Sequence, residues 1–137
     1  MKHSQLKPHN HVILNLTFQR KLFWIFSVNI KRKIGFVFNN YVTHMVYIAS
    51  EAKNAKEFSE WTKIENGALF NFEMLYCAAV HYLEILRKPD NFTRTGLKRA
   101  LMTADKDQVK LLTDCIKRTE HYGATYKKKV TGKKQSS

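Results

Sequence analysis

Large apolar residues alternate with polar ones along the first third of the chain. Every second residue is apolar over residues 11–18, and the alternation returns over 26–30 and again over 34–38. A period of two is typical of strands with one buried face. The pattern therefore predicts strands in this region, with the basic triplet at 31–33 (KRK) as a hairpin connection. A helix over residues 16–30 is the alternative that propensity allows.

Beyond residue 38 the apolar spacing becomes that of helices. Asn39 or Asn40 can cap the first of them, because a side-chain oxygen at that position accepts a bond from a free backbone N–H. The sequence at 64–67 (IENG) interrupts the pattern. The apolar positions assigned to this helical stretch are Tyr41, Met45, Ile48, Ala52, Phe58 and Trp61.

Residues 68–88 (ALFNFEMLYCAAVHYLEILRK) form the clearest helical segment, and Pro89 ends it. The segment is apolar on most of its circumference, which is typical of the central helix of a bundle. We expect it to be the most buried element. Its narrow polar strip is expected to face solvent and consists of Asn71, Glu73, His81 and Glu84.

Two further helices are predicted. Thr93 or Thr95 starts a short one, with Leu97, Ala100 and Leu101 inside and with Arg94, Lys98 and Arg99 outside. Thr103 or Asp105 caps a last one, which should end near residues 121–123, where Gly123 suits a C-terminal cap. Its expected inner positions are Val109, Leu112, Cys115 and Ile116.

Together these elements predict a mainly α fold, a bundle of about four helices around residues 68–88. The N-terminal part would add a β-hairpin or an amphipathic segment. The expected organisation is a basic, acid-free segment over residues 1–40, a helical bundle over 41–123, and a basic, disordered tail over 124–137. The chain has no apolar run of 18 residues, so no membrane span is predicted.

Charge suggests the class of partner. The 137 residues contain 24 Lys and Arg against 11 Asp and Glu, for a net charge of +13. Residues 1–50 contain seven basic residues and no acidic one, since Glu51 is the first acid. Such a balance favours polyanionic partners, nucleic acid first and an anionic membrane surface second.

A set of basic residues near the C-terminal end is predicted to contact phosphate. Arg94, Lys98 and Arg99 share one helical face, and they would extend a patch formed by later basic residues. Those later residues are Lys117, Arg118, Lys127, Lys128 and Lys129. The sequence lacks a Gly-rich phosphate loop, zinc-finger spacing and the aromatic signature of RNA-recognition motifs. Binding through this patch would therefore be electrostatic rather than base-specific.

Signals for catalysis or metal binding are weaker. Arg118 and His121 could support phosphodiester cleavage, because Arg stabilises phosphate charge and His transfers a proton. Cations that complement a helix dipole would look the same. Glu73, Cys77 and His81 lie in one row with Glu84, but a row along one helix cannot close a coordination shell. No metal or other cofactor is predicted. Both cysteines are expected to be reduced thiols in a cytoplasmic protein.

Three segments resemble the HEPN (higher eukaryotes and prokaryotes nucleotide-binding) superfamily. They are IASEAKNAKEFSEW at 48–61, LYCAAVHYLEIL at 75–86 and RTEHYG at 118–123. The resemblance covers residues 48–122 and implies a bundle of four or five helices, often dimeric, as in RNA-cleaving toxins, their partners and defence systems. The catalytic Arg and His of that family lie four to six residues apart, whereas two residues separate Arg118 from His121 here.

These observations support three hypotheses about function. The first is a small, non-enzymatic binding protein that contacts nucleic acid or another polyanion through its basic ends. The second is a HEPN-like ribonuclease of a toxin–antitoxin or defence system, with Arg118 and His121 as catalytic residues. The third is a non-catalytic interaction subunit, in which Phe23, Trp24 and Phe26 would contact another protein or a second copy of the chain. The sequence favours a binding protein over an enzyme.

Overall fold

The computed structural model describes residues 11–23 and 25–119, which form an N-terminal β-hairpin followed by five helices. The strands are β1 (His11–Lys21) and β2 (Ser27–Val37). The helices are α1 (Asn40–Ala49), α2 (Ala55–Thr62), α3 (Ala68–Leu86), α4 (Arg94–Met102) and α5 (residues 106–119). The predicted class, mainly α with an N-terminal hairpin, is confirmed. The described helices number five rather than about four.

The hairpin connection lies at residues 22–26. The antiparallel register pairs Lys21 with Ser27 and Leu14 with Ile34, so residues 31–33 lie inside β2. The predicted connection at the basic triplet is therefore wrong, as is the helical alternative over 16–30. The true loop (LFWIF) contains none of the Gly, Pro, Asn or Asp residues that usually mark a turn. Lys31, Arg32 and Lys33 lie on alternating faces of a continuous strand, with the two lysines on one face and Arg32 on the other.

One face of the hairpin belongs to the same hydrophobic core as the helices. The side chains of Leu16 and Phe36 are almost completely buried, and they cluster with Met74 of α3, Leu97 of α4 and Leu112 of α5. The same core contains Leu14, Phe18 and Ile34 of the hairpin and Phe38, which directly follows β2. The base of the hairpin is thus an integral part of the fold rather than an appended segment.

The helical stretch after the hairpin is divided into two helices. Asn39 caps α1, as predicted, by accepting a 3.0 Å bond from the Val42 backbone N–H. Asn54 caps α2 in the same way through the N–H of Glu57, so the chain starts a new helix there. The buried positions of α1 are Val42 and Val46, whereas Tyr41 and Ile48 are exposed. The apolar positions that the sequence analysis assigned to this stretch therefore do not mark the buried face of α1 at Tyr41 and Ile48.

α3 begins after a left-handed turn at Ile64–Gly67, the interruption that the sequence indicates. Three residues of α3, Met74, Ala78 and Ala79, are completely buried, as expected of a central helix. The polar strip, however, does not face solvent throughout. Glu73 is buried and His81 is half-buried, because α4 covers the first and α1 the second.

The starts of α4 and α5 agree with the sequence analysis. Thr93 Oγ1 accepts a 2.9 Å bond from the Gly96 N–H, and Asp105 Oδ1 accepts one of 2.9 Å from the Gln108 N–H. The predicted inner positions of α4 and α5 are at least partly buried except for Val109, which is exposed. The predicted end of α5 and the tail lie outside the described residues. In the described part, none of the helices has the length and apolar character needed to cross a membrane.

Candidate functional site

The distal part of the hairpin projects beyond the core as a two-stranded arm, which we define as residues 19–29. All of the described arm residues are exposed, on both faces of the ribbon. Nearer the base, Phe18 is buried and Ile30 is half-buried. The arm begins at the pair Gln19–Asn29 and includes two more pairs before the loop, so its paired part extends roughly 7 Å.

One face of the hairpin is polar and basic; we call it the outer face. Its lysines lie in the cross-strand pairs Asn15–Lys33, Thr17–Lys31 and Lys21–Ser27. Each lysine lies opposite an amide or hydroxyl side chain, and the neutral pair Gln19–Asn29 separates Thr17–Lys31 from Lys21–Ser27. Helix α3 covers this face only at its base, where an added Cβ on Gly35 would lie 2.3 Å from the ring of Tyr82.

The charge of the outer face is not compensated by nearby acids. Residues 11–50 contain no Asp or Glu. In the described part of the chain, no ion pair joins Lys21, Lys31 or Lys33 to a carboxylate. Three exposed ammonium groups on one narrow ribbon therefore create a local positive potential, which favours binding of an anionic ligand.

The opposite face of the arm borders a concavity of about 550 Å³ that the loop before α4 completes. Arg32 Nη1 donates a 2.6 Å bond to the Asn91 carbonyl, and its guanidinium lies 5.6 Å from the centre of the Phe18 ring. Arg20, on the same face of the ribbon, lines the concavity together with Thr93 and Asp90. Arg32 thus holds the hairpin against the helices, and Arg20 is the exposed cation on this side.

The loop at residues 22–26 forms an apolar tip. Its side chains are exposed at Leu22 (54%), Phe23 (68%), Ile25 (67%) and Phe26 (63%). The Leu22 N–H donates a 3.1 Å bond to the Phe26 carbonyl, which closes the base of the loop. Because these side chains take no part in the core and are not turn-forming types, neither packing nor turn geometry explains their identity.

Arg94, one of the predicted phosphate ligands, is engaged within the fold. Its guanidinium donates to Glu73 Oε1 and lies 4.1 Å from the centre of the Tyr76 ring. Glu73 is buried, and its Oε2 has no hydrogen-bond partner within residues 11–23 and 25–119. Lys98 is exposed, with Nζ 5.8 Å from the centre of the Phe72 ring. The charge of Arg94 is therefore largely matched by a buried carboxylate.

The remaining residues of the α3 row do not form a metal centre. Burial, with a contribution from Glu73, raises the pKa of Cys77 from 9.0 to about 11, so the thiol is protonated at neutral pH. His81 Nδ1 lies 3.3 Å from Glu84 Oε1, and its ring lies 4.5 Å from that of Tyr41. Among the residues that the structure describes, no three His, Cys, Asp or Glu side chains are grouped so as to hold a metal ion.

The other predicted phosphate and catalytic residues lie on α4, on α5 or beyond them. Arg99 is exposed on α4, and Lys117 lines a shallow groove along α5 with Lys106 and Lys110. Arg118 donates a 3.1 Å bond to Cys115 Sγ. The predicted residues His121, Lys127, Lys128 and Lys129 lie outside the described residues, so the proposed Arg–His pair stays a prediction.

The sequence analysis named Phe23 and Phe26 as contacts for another protein and the basic ends as contacts for polyanions, but it did not predict the basic outer face of the hairpin. Its signals were present: an acid-free first third and a two-residue alternation that places Lys31 and Lys33 on the same face. The missing fact was the position of the loop, which determines that Lys21 joins them across the strands. With the loop assigned to residues 31–33, these lysines would have belonged to a turn.

Compared with known proteins, the chain matches no protein-family model, no curated protein and no solved structure. The arguments for its function therefore depend on its own residues.

Proposed function

We propose that this chain is a non-enzymatic nucleic-acid-binding protein that contacts the phosphate backbone through the outer face of its hairpin. The observation that carries the proposal is the line of three exposed lysines, without a carboxylate partner among the described residues, on a ribbon that contains no acid. Lysine and arginine contacts to phosphate supply essentially all of the affinity for nucleic acid that is independent of base sequence, because neutralising a phosphate releases its counterions.

The neutral residues between the lysines support the same proposal. Amide and hydroxyl side chains commonly bond phosphate and sugar oxygens, so they would hold the backbone between lysine contacts. Here these residues are Asn15, Thr17, Gln19, Ser27 and Asn29. A two-stranded ribbon is also an element that other proteins present to nucleic acid.

The test replaces the three lysines by glutamine, which removes their charges but keeps long polar side chains. The variant K21Q/K31Q/K33Q, which we call the arm-lysine variant, changes Lys21 in the arm and Lys31 and Lys33 on the outer face just below it. It should bind a fluorescent oligonucleotide roughly tenfold more weakly than the wild type in a titration followed by anisotropy. Because all three side chains are exposed, its thermal unfolding should match that of the wild type.

A matched control separates a localised surface from overall charge. The variant K53Q/K56Q/K63Q removes three exposed lysines from the region of α2 and has the same net charge as the arm-lysine variant. The proposal predicts that this control binds nearly as tightly as the wild type. Equal losses in both variants would show that total charge, and not the outer face of the hairpin, determines binding.

A further inference from the structure

The tip differs chemically from the rest of the arm and points to a more specific ligand. We infer that it stacks against unpaired bases of a single-stranded nucleic acid whose backbone follows the outer face. This inference rests on the proposed function and names the form of nucleic acid that the site would select. Proteins that bind single strands typically combine a positive track for phosphates with aromatic side chains for the bases.

Both parts of such a site are present on one ribbon. The phosphate track runs from the pair Asn15–Lys33 to the pair Lys21–Ser27, six residues along each strand, or roughly 20 Å. The aromatic part follows directly, with Phe23 and Phe26 more than half exposed in the loop. A strand lying along the ribbon would contact the lysines in turn and reach the rings at its end.

The same layout argues against an anionic membrane as the partner. An apolar tip that entered a bilayer end-on would place Lys21 near the headgroups. Lys33 would then be roughly 20 Å further away along the ribbon. Since electrostatic attraction to a charged surface is screened within about 8 Å at physiological salt, Lys31 and Lys33 would contribute little. A linear ligand such as a single strand can contact all three lysines, whereas a planar membrane surface would contact only Lys21.

Duplex nucleic acid fits the tip less well than a single strand. Bases in a duplex are already stacked on each other, so inserting a side chain first requires unstacking, which costs a few kcal/mol per step. Unpaired bases present their faces without that cost. The tip should therefore favour single strands of either DNA or RNA, with little dependence on base identity.

The experiment compares two substitutions at the same two positions. F23A/F26A removes the rings and most of the apolar surface, whereas F23L/F26L keeps an apolar tip without rings. Both should weaken binding to a single-stranded thymidine or uridine oligonucleotide of about 12 nucleotides by roughly tenfold or more. Binding to a duplex of the same length should change little.

Three outcomes would overturn the inference. One is wild-type affinity of F23L/F26L for the single strand, because apolarity rather than stacking would then be enough. Another is a loss of affinity for the duplex, in both variants, that is as large as their loss of affinity for the single strand. The third is unchanged oligonucleotide binding together with loss, in F23A/F26A alone, of binding to phosphatidylserine-containing vesicles, which would identify a membrane partner.

A control variant and a comparison with the arm-lysine variant distinguish a failure of this inference from a failure of the proposed function. I48A/M102A removes exposed apolar side chains from α1 and α4 and should bind as the wild type does. If the arm-lysine variant loses affinity while the phenylalanine variants do not, the stacking inference fails and the proposed function stands. If the arm-lysine variant also binds normally, the proposed function fails as well.

Discussion

The two halves of the hairpin share one alternation of apolar and polar residues, yet they differ in what their apolar residues do. At the base, Leu16 and Phe36 are buried in the common core. In the arm, Phe23 and Phe26 are mostly exposed, and Lys21 beside them has no carboxylate partner in the described part of the chain. The alternation alone predicts a strand in both halves. Whether a half is buried in the core or available for binding depends on the elements that pack against it.

The largest contrast should appear when the same substitution is made in each half. Phe36→Ala removes a completely buried ring and should lower the free energy of unfolding by about 3–5 kcal/mol. Phe26→Ala, in the exposed tip, should change it by less than about 0.5 kcal/mol. Urea denaturation of both variants measures the difference. A large loss for Phe26→Ala would mean that the tip packs against the fold.

Substituting Gly35 by Ala tests how closely α3 packs against the base of the outer face. Gly35→Ala places its Cβ within about 2.5 Å of three ring atoms of Tyr82, so the ring must move, and stability should fall by about 2–3 kcal/mol. The double variant Gly35→Ala/Tyr82→Ala relieves the clash, and a double-mutant cycle should show favourable coupling. Additive effects in thermal unfolding would contradict this close approach.

Arg94 provides a third contrast, between a cation engaged in the fold and the exposed lysines of the outer face. Arg94→Ala leaves the buried carboxylate of Glu73 without its ion-pair partner and should cost about 2 kcal/mol, less than for a fully buried pair because Arg94 is half exposed. Its affinity for nucleic acid should stay close to that of the wild type. Lys98→Ala is the matched control for stability and should change it by less than about 0.5 kcal/mol. A stable Arg94→Ala protein with weakened binding would return Arg94 to the phosphate-binding set.

The smallest effect should be a pH dependence from Cys77. Its pKa is raised to about 11 in the fold, mainly by burial, so the folded protein holds this proton more tightly than the unfolded chain does. The stability that follows is present below pH 9 and is lost as the pH rises towards 11. Between these values the free energy of unfolding should therefore fall more steeply in the wild type than in Cys77→Ala. Parallel slopes in urea titrations would exclude this contribution.

Much of the fold can be predicted from local signals. Three helices begin at caps that the sequence indicates, namely Asn39, Thr93 and Asp105. Side chains of these types are strongly preferred at the N-terminal cap of a helix. The alternation over residues 11–18 likewise predicts β1. These features depend on neighbours in sequence, so the sequence alone contains the necessary information.

Features that depend on distant contacts were not predicted. The burial of Glu73 follows from α4 lying over it, and nothing near Glu73 in the sequence indicates Arg94 as its partner. The loop at residues 22–26 carries no turn signal, so neither the register nor the shared face of Lys21 and Lys31 could be inferred. The basic outer face was not predicted for this reason, although the positive charge of this part of the chain was evident.

The salt dependence of binding tests the central claim most directly. If Lys21, Lys31 and Lys33 each neutralise one phosphate, the logarithm of the association constant of the wild type should fall with the logarithm of salt concentration. The slope should be steeper than that of K21Q/K31Q/K33Q by about 2 for a single strand, at roughly 0.7 per phosphate. Equal slopes for the two proteins would contradict the assignment of phosphate binding to the outer face of the hairpin.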